Sequence, residues 1–224
     1  KACTAEEYQD TPDVVLVCVK GYSLDSVVAF IQRVAGPETV VLPILNIYGT
    51  GGKMQEMLPD VDVLDGCTYL YAEIQKPGTI LQSGPYCRIV FGPRDHNLDD
   101  LRYQQIKRDF DASGIVGELT AHIQRDALQK FSYVSPVGAT GLYYNAVAAD
   151  MQKDGEARDC FIAMVREISA LADAMGCPFD HDVVPDDLAI LDGIAPTATT
   201  SMQRDIADGH ASEIDGLIYE VVRL

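Results

Sequence analysis

Side chains able to do chemistry collect near the C-terminus of this sequence. Thr200-Ser201-Met202-Gln203-Arg204-Asp205 is followed, after a polar gap, by Ser212-Glu213-Ile214-Asp215-Gly216-Leu217. Ser201 and Asp205 stand four apart and share one face of a helix, with Met202 and Ile206 as the apolar pair beside them. Asp208-Gly209-His210 breaks the pattern. Ser212 then suits the N-cap of a further helix, with Glu213 in its first turn and Ile214, Leu217, Ile218, Val221 and Val222 as an apolar stripe up to Leu224. Hydroxyls and carboxylates thus meet at a helix–turn–helix corner where backbone N–H groups are unsatisfied. Read by spacing alone, this is capping chemistry.

Three further residues stand out. Lys20 closes an apolar run, so its ammonium is placed where a phosphate or ribose could lie; the plain alternative is a solvated lysine at a strand end. Asn46 ends the next such run, as a turn residue or as a ligand contact. Lys130 lies in Asp126-Ala127-Leu128-Gln129-Lys130-Phe131-Ser132-Tyr133, on the flank of a helix whose Leu128, Phe131 and Val134 face the core. Most lysines in such a place are surface decoration.

The elements that must position these residues follow from periodicity. Val14–Val19 is a continuous, largely β-branched run that predicts a strand buried on both faces of a parallel sheet, with Cys18 as a small core hydrophobe. Leu24, Val27, Val28 and Ile31 recur at helical spacing, Gly36-Pro37 stops that helix, and Thr39–Leu45 is the next strand. Strand, helix, strand is a right-handed crossover unit, and ligands of such sheets bind beyond the carboxyl ends of the strands, where Lys20 and Asn46 stand. A short helix over Lys53–Leu58 follows. Strands at Gly66–Glu73, Thr79–Gln82 and Cys87–Phe91 are joined by turns at Lys76-Pro77-Gly78 and Ser83-Gly84-Pro85. Leu98–Ala112 reads as a helix and Ile115–Leu119 as a short strand. Beyond Ile123 the pattern is helical, through Tyr144–Met151, Glu156–Met175 and Ile214–Leu224, which puts a boundary near residues 119–124.

Composition narrows the partners. The 224 residues carry 34 acidic and 17 basic side chains, a net charge of −17, which argues against nucleic acid as a partner. No apolar run reaches the roughly 20 residues of a membrane span. The six cysteines lack C-x-x-C spacing and the four histidines lack H-x-x-x-H spacing, so we expect a reducing cytoplasm and no metal site. The Gly-x-Gly-x-x-Gly fingerprint of a dinucleotide site is absent, and Gly49-Thr50-Gly51-Gly52 has the wrong spacing for it. The chain opens at what reads as a later strand of such a fold and stops inside an apolar helix, as an excerpt of a longer protein would. Without the phosphate-cradling loop it is expected to be inactive alone.

Val19-Lys20, Asn46 with Gly49 after it, Gly92-Pro93 closing a strand, Lys130, Ser201-Met202, Asp205 and Glu213 occur in the order and spacing of the ketopantoate reductases, which this chain resembles over essentially its whole length. The resemblance implies an α/β plus all-α protein: an incomplete Rossmann-type NADP-binding domain over 1–121, then a helical substrate and catalytic domain over 122–224 like that of 6-phosphogluconate dehydrogenase. It implies an oxidoreductase that reduces 2-dehydropantoate to (R)-pantoate with NADPH, toward pantothenate and coenzyme A, and leaves room for a homodimer. Lys130 would be the general acid, paired with Glu213 in the free enzyme. Glu213 would also touch the cofactor, as would Lys20 and Asn46. Ser201, Asn46 and Lys130 would bind substrate, and Asp205 would hold the corner. The chemistry suits a lysine, since an ammonium both polarises a ketone and protonates the alkoxide that hydride addition leaves.

The sequence departs from the family pattern in two places. Ile47 replaces the glycine that usually follows the asparagine. Val134, Gly138 and Ala148 stand where asparagines usually bind the hydroxy acid, with Asn145, Ser132 and Ser135 as nearby polar substitutes. A sibling reductase for another, more apolar 2-oxo acid therefore stays open, as does a non-enzymatic scaffold or dimerisation module.

Overall fold

The β-branched runs form strands and the stripes of period 3.6 form helices in a computed structural model that describes residues 2–224, the side chains of 85 and 86 excepted. β1 (Val14–Val17), α1 (Leu24–Val34) and β2 (Val40–Pro43) make the crossover unit, and α2 (Thr50–Met57) leads to β3 (Asp62–Val63). The three strands are parallel in that order, with Val14 opposite Val40 and Val17 opposite Pro43. β2 is buried along its whole length. Val41 packs with Val28, Ile31 and Met54 of α1 and α2, whereas Val40 and Leu42 pack with Tyr103, Ile106 and Phe110 of α3 (Leu101–Ala112). A parallel strand covered on both faces needs this unbroken apolar run.

β1 does not have the double burial expected of it. Leu16 is 42% exposed, and Cys18 is exposed rather than a core residue. Side-chain alternation is the reason: Val15 and Val17 turn toward α1 and α2, and on the opposite face Val14 reaches the cluster around α3 while Leu16 stays outside it. The strand also stops at Val17, and Gly21–Ser23 forms a 3-10 turn.

β4 (Asp65–Lys76) and β5 (Thr79–Gly92) form a long antiparallel hairpin, and β6 (Val116–Leu119) lies parallel to β5. No turn forms at Ser83-Gly84-Pro85. The strand continues and its register jumps, with Leu70 opposite Cys87 but Tyr71 opposite Ser83. A bulge of this kind absorbs a Gly-Pro step that a regular ladder would not accept. α3 opens on Asp100, which accepts the Arg102 N–H, and Arg102 and Tyr103 both donate to Asp62 at 2.8 Å, tying α3 to β3. Burial, and then that carboxylate, push the Tyr103 phenol well above its usual range.

Contacts divide the chain into two compact units, residues 1–45 with 49–123 and residues 46–48 with 124–224. The second is helical: α4 (Ile123–Tyr143), α5 (Ala148–Met151), α6 (Glu156–Ala174), α7 (Val184–Gly193), α8 (Ser201–Ala207) and α9 (Ile214–Leu217). α4 contributes to two clusters. Leu128 and Phe131 pack with Ile168, Met202 and Leu217, and Val137 packs with Phe161, Val165 and Leu191. The helix expected from Tyr144 begins only at Ala148, because Asn145 takes a left-handed conformation (φ 49°) that a short polar side chain tolerates. α7, with Pro185 in its first turn, is a helix that periodicity did not reveal.

The terminal stripe is likewise not one helix. α9 ends at Leu217, and Tyr219–Val222 is a 3-10 turn. β-branched Ile218, Val221 and Val222 support α-helix weakly, and Arg223 closes the turn by pairing with Asp215 and Glu220. No helix among the described residues is long and apolar enough to cross a membrane.

Candidate active site

Lys130 is held half-buried on the flank of α4, between the fully buried anchors Leu128 and Phe131. Its Nζ donates to Asn46 Oδ1 at 2.7 Å. Asn46 arrives there because the residues that follow it are anchored on the helices. Tyr48 is buried against Phe131, with ring centroids 6.2 Å apart. Ile47 lies so close to Gly216 that a Cβ there would come within 2.5 Å of Ile47 Cδ1. Two apolar anchors thus carry residues 46–48 into the helical unit, although they directly follow β2 and its loop. A side-chain amide oxygen beside the ammonium helps to orient it through a short bond.

Ser201 and Glu213 stand on helices packed against the same cluster. Thr200 caps α8 in a reciprocal box, accepting the Gln203 N–H at 3.2 Å while Gln203 Oε1 accepts the Thr200 N–H at 3.0 Å. Gln203 Nε2 also donates to the Ala146 carbonyl at 2.9 Å, which fixes α8 to the end of α4. Ser201 follows the cap and is exposed, and Met202 is buried against Leu128 and Phe131. Ile206 does not join Met202 in the core; it is 39% exposed, at the outer end of a helix of only seven residues. Glu213, not Ser212, is the N-cap of α9, because its own carbonyl takes the first helical bond from the Leu217 N–H. The Glu213 residue is buried.

Lys130 and Asn46 are therefore in direct contact. Ser201 and Glu213 belong to the same unit, and Asp205 accepts the His210 N–H through its carbonyl where α8 ends. Lys20 belongs to the α/β unit, half-buried, its carbonyl accepting the Ser23 N–H at 2.9 Å. Of the polar substitutes, Asn145 is exposed at its turn, whereas Ser132 and Ser135 are buried, away from the Lys130 flank. Gly49-Thr50-Gly51-Gly52 starts α2.

Sequence reading missed Asp187, a buried carboxyl on α7. The Ser132 hydroxyl has one proton and two acceptors in reach, the Gln129 carbonyl at 2.6 Å and Asp187 Oδ2 at 2.8 Å. A protonated Asp187 donating into Ser132 Oγ satisfies all three groups. Burial pushes the Asp187 carboxyl up to about 7, the Ser132 bond opposes the shift, and Asp186 adds to it; burial and Asp187 push the Tyr133 phenol up to about 12. A carboxyl whose folded-state value lies above its unfolded one favours the folded state while protonated. Stability on its account falls as pH rises from about 4 through about 7. Asp187→Asn keeps a donor for Ser132 and removes the titration. Its urea midpoint should vary less with pH than that of the parent, with a gain of about 1–3 kcal/mol at about pH 8 and little change at about pH 4. The sequence signal was faint: an acidic pair following Pro185 in a first helical turn.

The architecture is a partial Rossmann-type α/β unit followed by an all-α unit that carries the lysine–asparagine contact. A family described as "Ketopantoate reductase PanE/ApbA" matches residues 1–96, and its "C terminal" counterpart matches residues 122–224. The chain belongs to the ketopantoate reductase family of oxidoreductases. It is 24% identical over 208 residues to an uncharacterized oxidoreductase, YkpB, of Bacillus subtilis, covering 92% of this chain and 67% of that protein. It is 23% identical over 210 residues to a 2-dehydropantoate 2-reductase of Nostoc, covering 92% of this chain and 65% of that one. The chain thus spans about two thirds of the length of these relatives. Among solved structures, 2-dehydropantoate 2-reductase from Methylococcus capsulatus shares the fold with a TM-score of 0.85 at 24% identity, over 98% of this chain and 70% of that one.

Proposed function

We propose that this chain serves the nicotinamide-dependent reduction of a 2-oxo acid, with Lys130 as proton donor. The observation that carries this reading is the 2.7 Å contact of the Lys130 ammonium with Asn46 in a member of the ketopantoate reductase family. NADPH is the cofactor that the family resemblance implies, and 2-dehydropantoate is the substrate named for the Nostoc relative. On this reading residues 1–121 serve the cofactor and 122–224 the acid.

The residues present suit such a cofactor. Lys20 and Asn46 each stand three residues beyond the ends of adjacent parallel strands, β1 and β2, where ligands of open α/β sheets bind. In a chain of net charge −17, one placed ammonium is what draws an anionic phosphate. The bound dinucleotide supplies the hydride. Lys130 polarises the carbonyl of the acid and hands its Nζ proton to that oxygen as the ketone becomes an alcohol, then recovers a proton from solvent. Asn46 holds the ammonium in register, the exposed Ser201 hydroxyl meets the carboxylate of the acid, and Glu213 contacts the cofactor and orders the corner.

The test is oxidation of NADPH, and in parallel of NADH, by the intact gene product with 2-dehydropantoate, followed at the nicotinamide absorbance. Oxidation that depends on the acid supports the reading. Dinucleotide binding without turnover of any 2-oxo acid would refute the reaction, and absence of both would leave a scaffold role in its place.

A further inference from the structure

Given the reading of Lys130 above, on which this rests, we propose that the acid reduced there carries a compact apolar side chain, and that a hydroxyl on that side chain goes unrecognised. Lys130, Val134 and Gly138 lie on one face of α4, each one turn further along, at a rise of about 6 Å per four residues. A small 2-oxo acid with its carbonyl at Nζ therefore lays its side chain beside Val134. Val134 is half-buried and offers no hydrogen bond. Gly138 offers no side chain at all, and Met202 fills its place: a Cβ on Gly138 would lie 2.7 Å from Met202 Cε.

The other side of the polar pair is apolar too. Ile47, next to Asn46, belongs with Val134, Met202 and Ile214 to the cluster built on Leu128 and Phe131. The hydroxyls of the same stretch of α4 are turned elsewhere. Ser132 is engaged by Gln129 and Asp187, and Ser135 is buried. The Lys130 ammonium and Asn46 amide thus stand at the edge of an apolar floor. Such a floor accepts a branched alkyl group and gives a hydroxyl on it nothing to bond.

Two acids of one shape separate the cases: 2-dehydropantoate and its deoxy analogue, 3,3-dimethyl-2-oxobutanoate. A site built to bond the hydroxyl rejects the analogue by about 10⁴–10⁵-fold, whereas an apolar one distinguishes the two by no more than about 10²-fold. The intact gene product should show kcat/KM values for the two within about 100-fold of each other. Direct titration with the corresponding 2-hydroxy acids should give dissociation constants in the same narrow ratio. Val134→Thr, which keeps the shape of valine, and Val134→Asn should each raise the preference for the hydroxylated acid by about 10-fold or more.

A parent preference for the hydroxylated acid above about 100-fold, in turnover or in binding, would overturn the proposal. So would failure of both hydroxy acids to bind. Equal binding of the two without turnover of either oxo acid would refute the reaction assigned to Lys130 while supporting the apolar floor.

Discussion

Lys130→Met should lower kcat for reduction of the 2-oxo acid by about 10²–10⁴-fold, with dinucleotide affinity unchanged. Methionine keeps most of the apolar stem that packs along the flank of α4, so the folded structure should persist. What is lost is the ammonium that Asn46 holds at 2.7 Å. On the proposed mechanism the carbonyl would then have neither its polarising charge nor its proton source, and both losses would fall on the chemical step. Asn46→Ala leaves the ammonium in place and removes only the bond that Asn46 gives it, so a smaller loss is expected. Single-turnover kinetics, paired with a thermal melt of each variant, separate a missing acid from a damaged fold. Wild-type turnover by a folded Lys130→Met would move the proton donor to another residue.

The second large effect is structural. Gly92→Ala should destabilise the protein by about 3 kcal/mol, read as a lowered urea midpoint with an unchanged denaturant slope. Gly92 ends β5, and a Cβ there would run into the backbone carbonyl of Thr120. That carbonyl is main chain and cannot swing clear as the end of a flexible side chain could, and Thr120 is itself held against β5 by its N–H, bonded to the Phe91 carbonyl at 2.9 Å. The clash must therefore separate β5 from the segment after β6. Gly138 is the milder contrast. A methyl there meets only the mobile end of Met202, so its cost depends on how far that side chain can give.

Local pattern was enough to determine the crossover unit. The run at 40–43 is apolar on both of its faces, and α1 carries a stripe at Leu24, Val28 and Ile31, so β2 and α1 have one way to bury their apolar surface. The family, too, was legible, because Lys20, Asn46, Lys130, Ser201 and Glu213 keep an order and spacing along the chain that survive without coordinates. Periodicity failed where burial depends on what lies opposite. Leu16 is apolar yet exposed, because β1 is the outer strand of its three-stranded sheet and the cluster around α3 reaches Val14 on that face but not Leu16.

The site itself belongs to tertiary structure. Asn46 and Lys130 are 84 residues apart, and they meet because Ile47 and Tyr48 find their apolar partners on the helices. Asp187 reads as a surface carboxyl in a first helical turn until α7 is laid against Ser132. The space beside Gly138 is taken by Met202, from a helix more than 60 residues further along the chain. A side chain's type and neighbours in sequence set what it can do, but which groups it faces is set by contacts between residues far apart in the chain, and these no local pattern encodes.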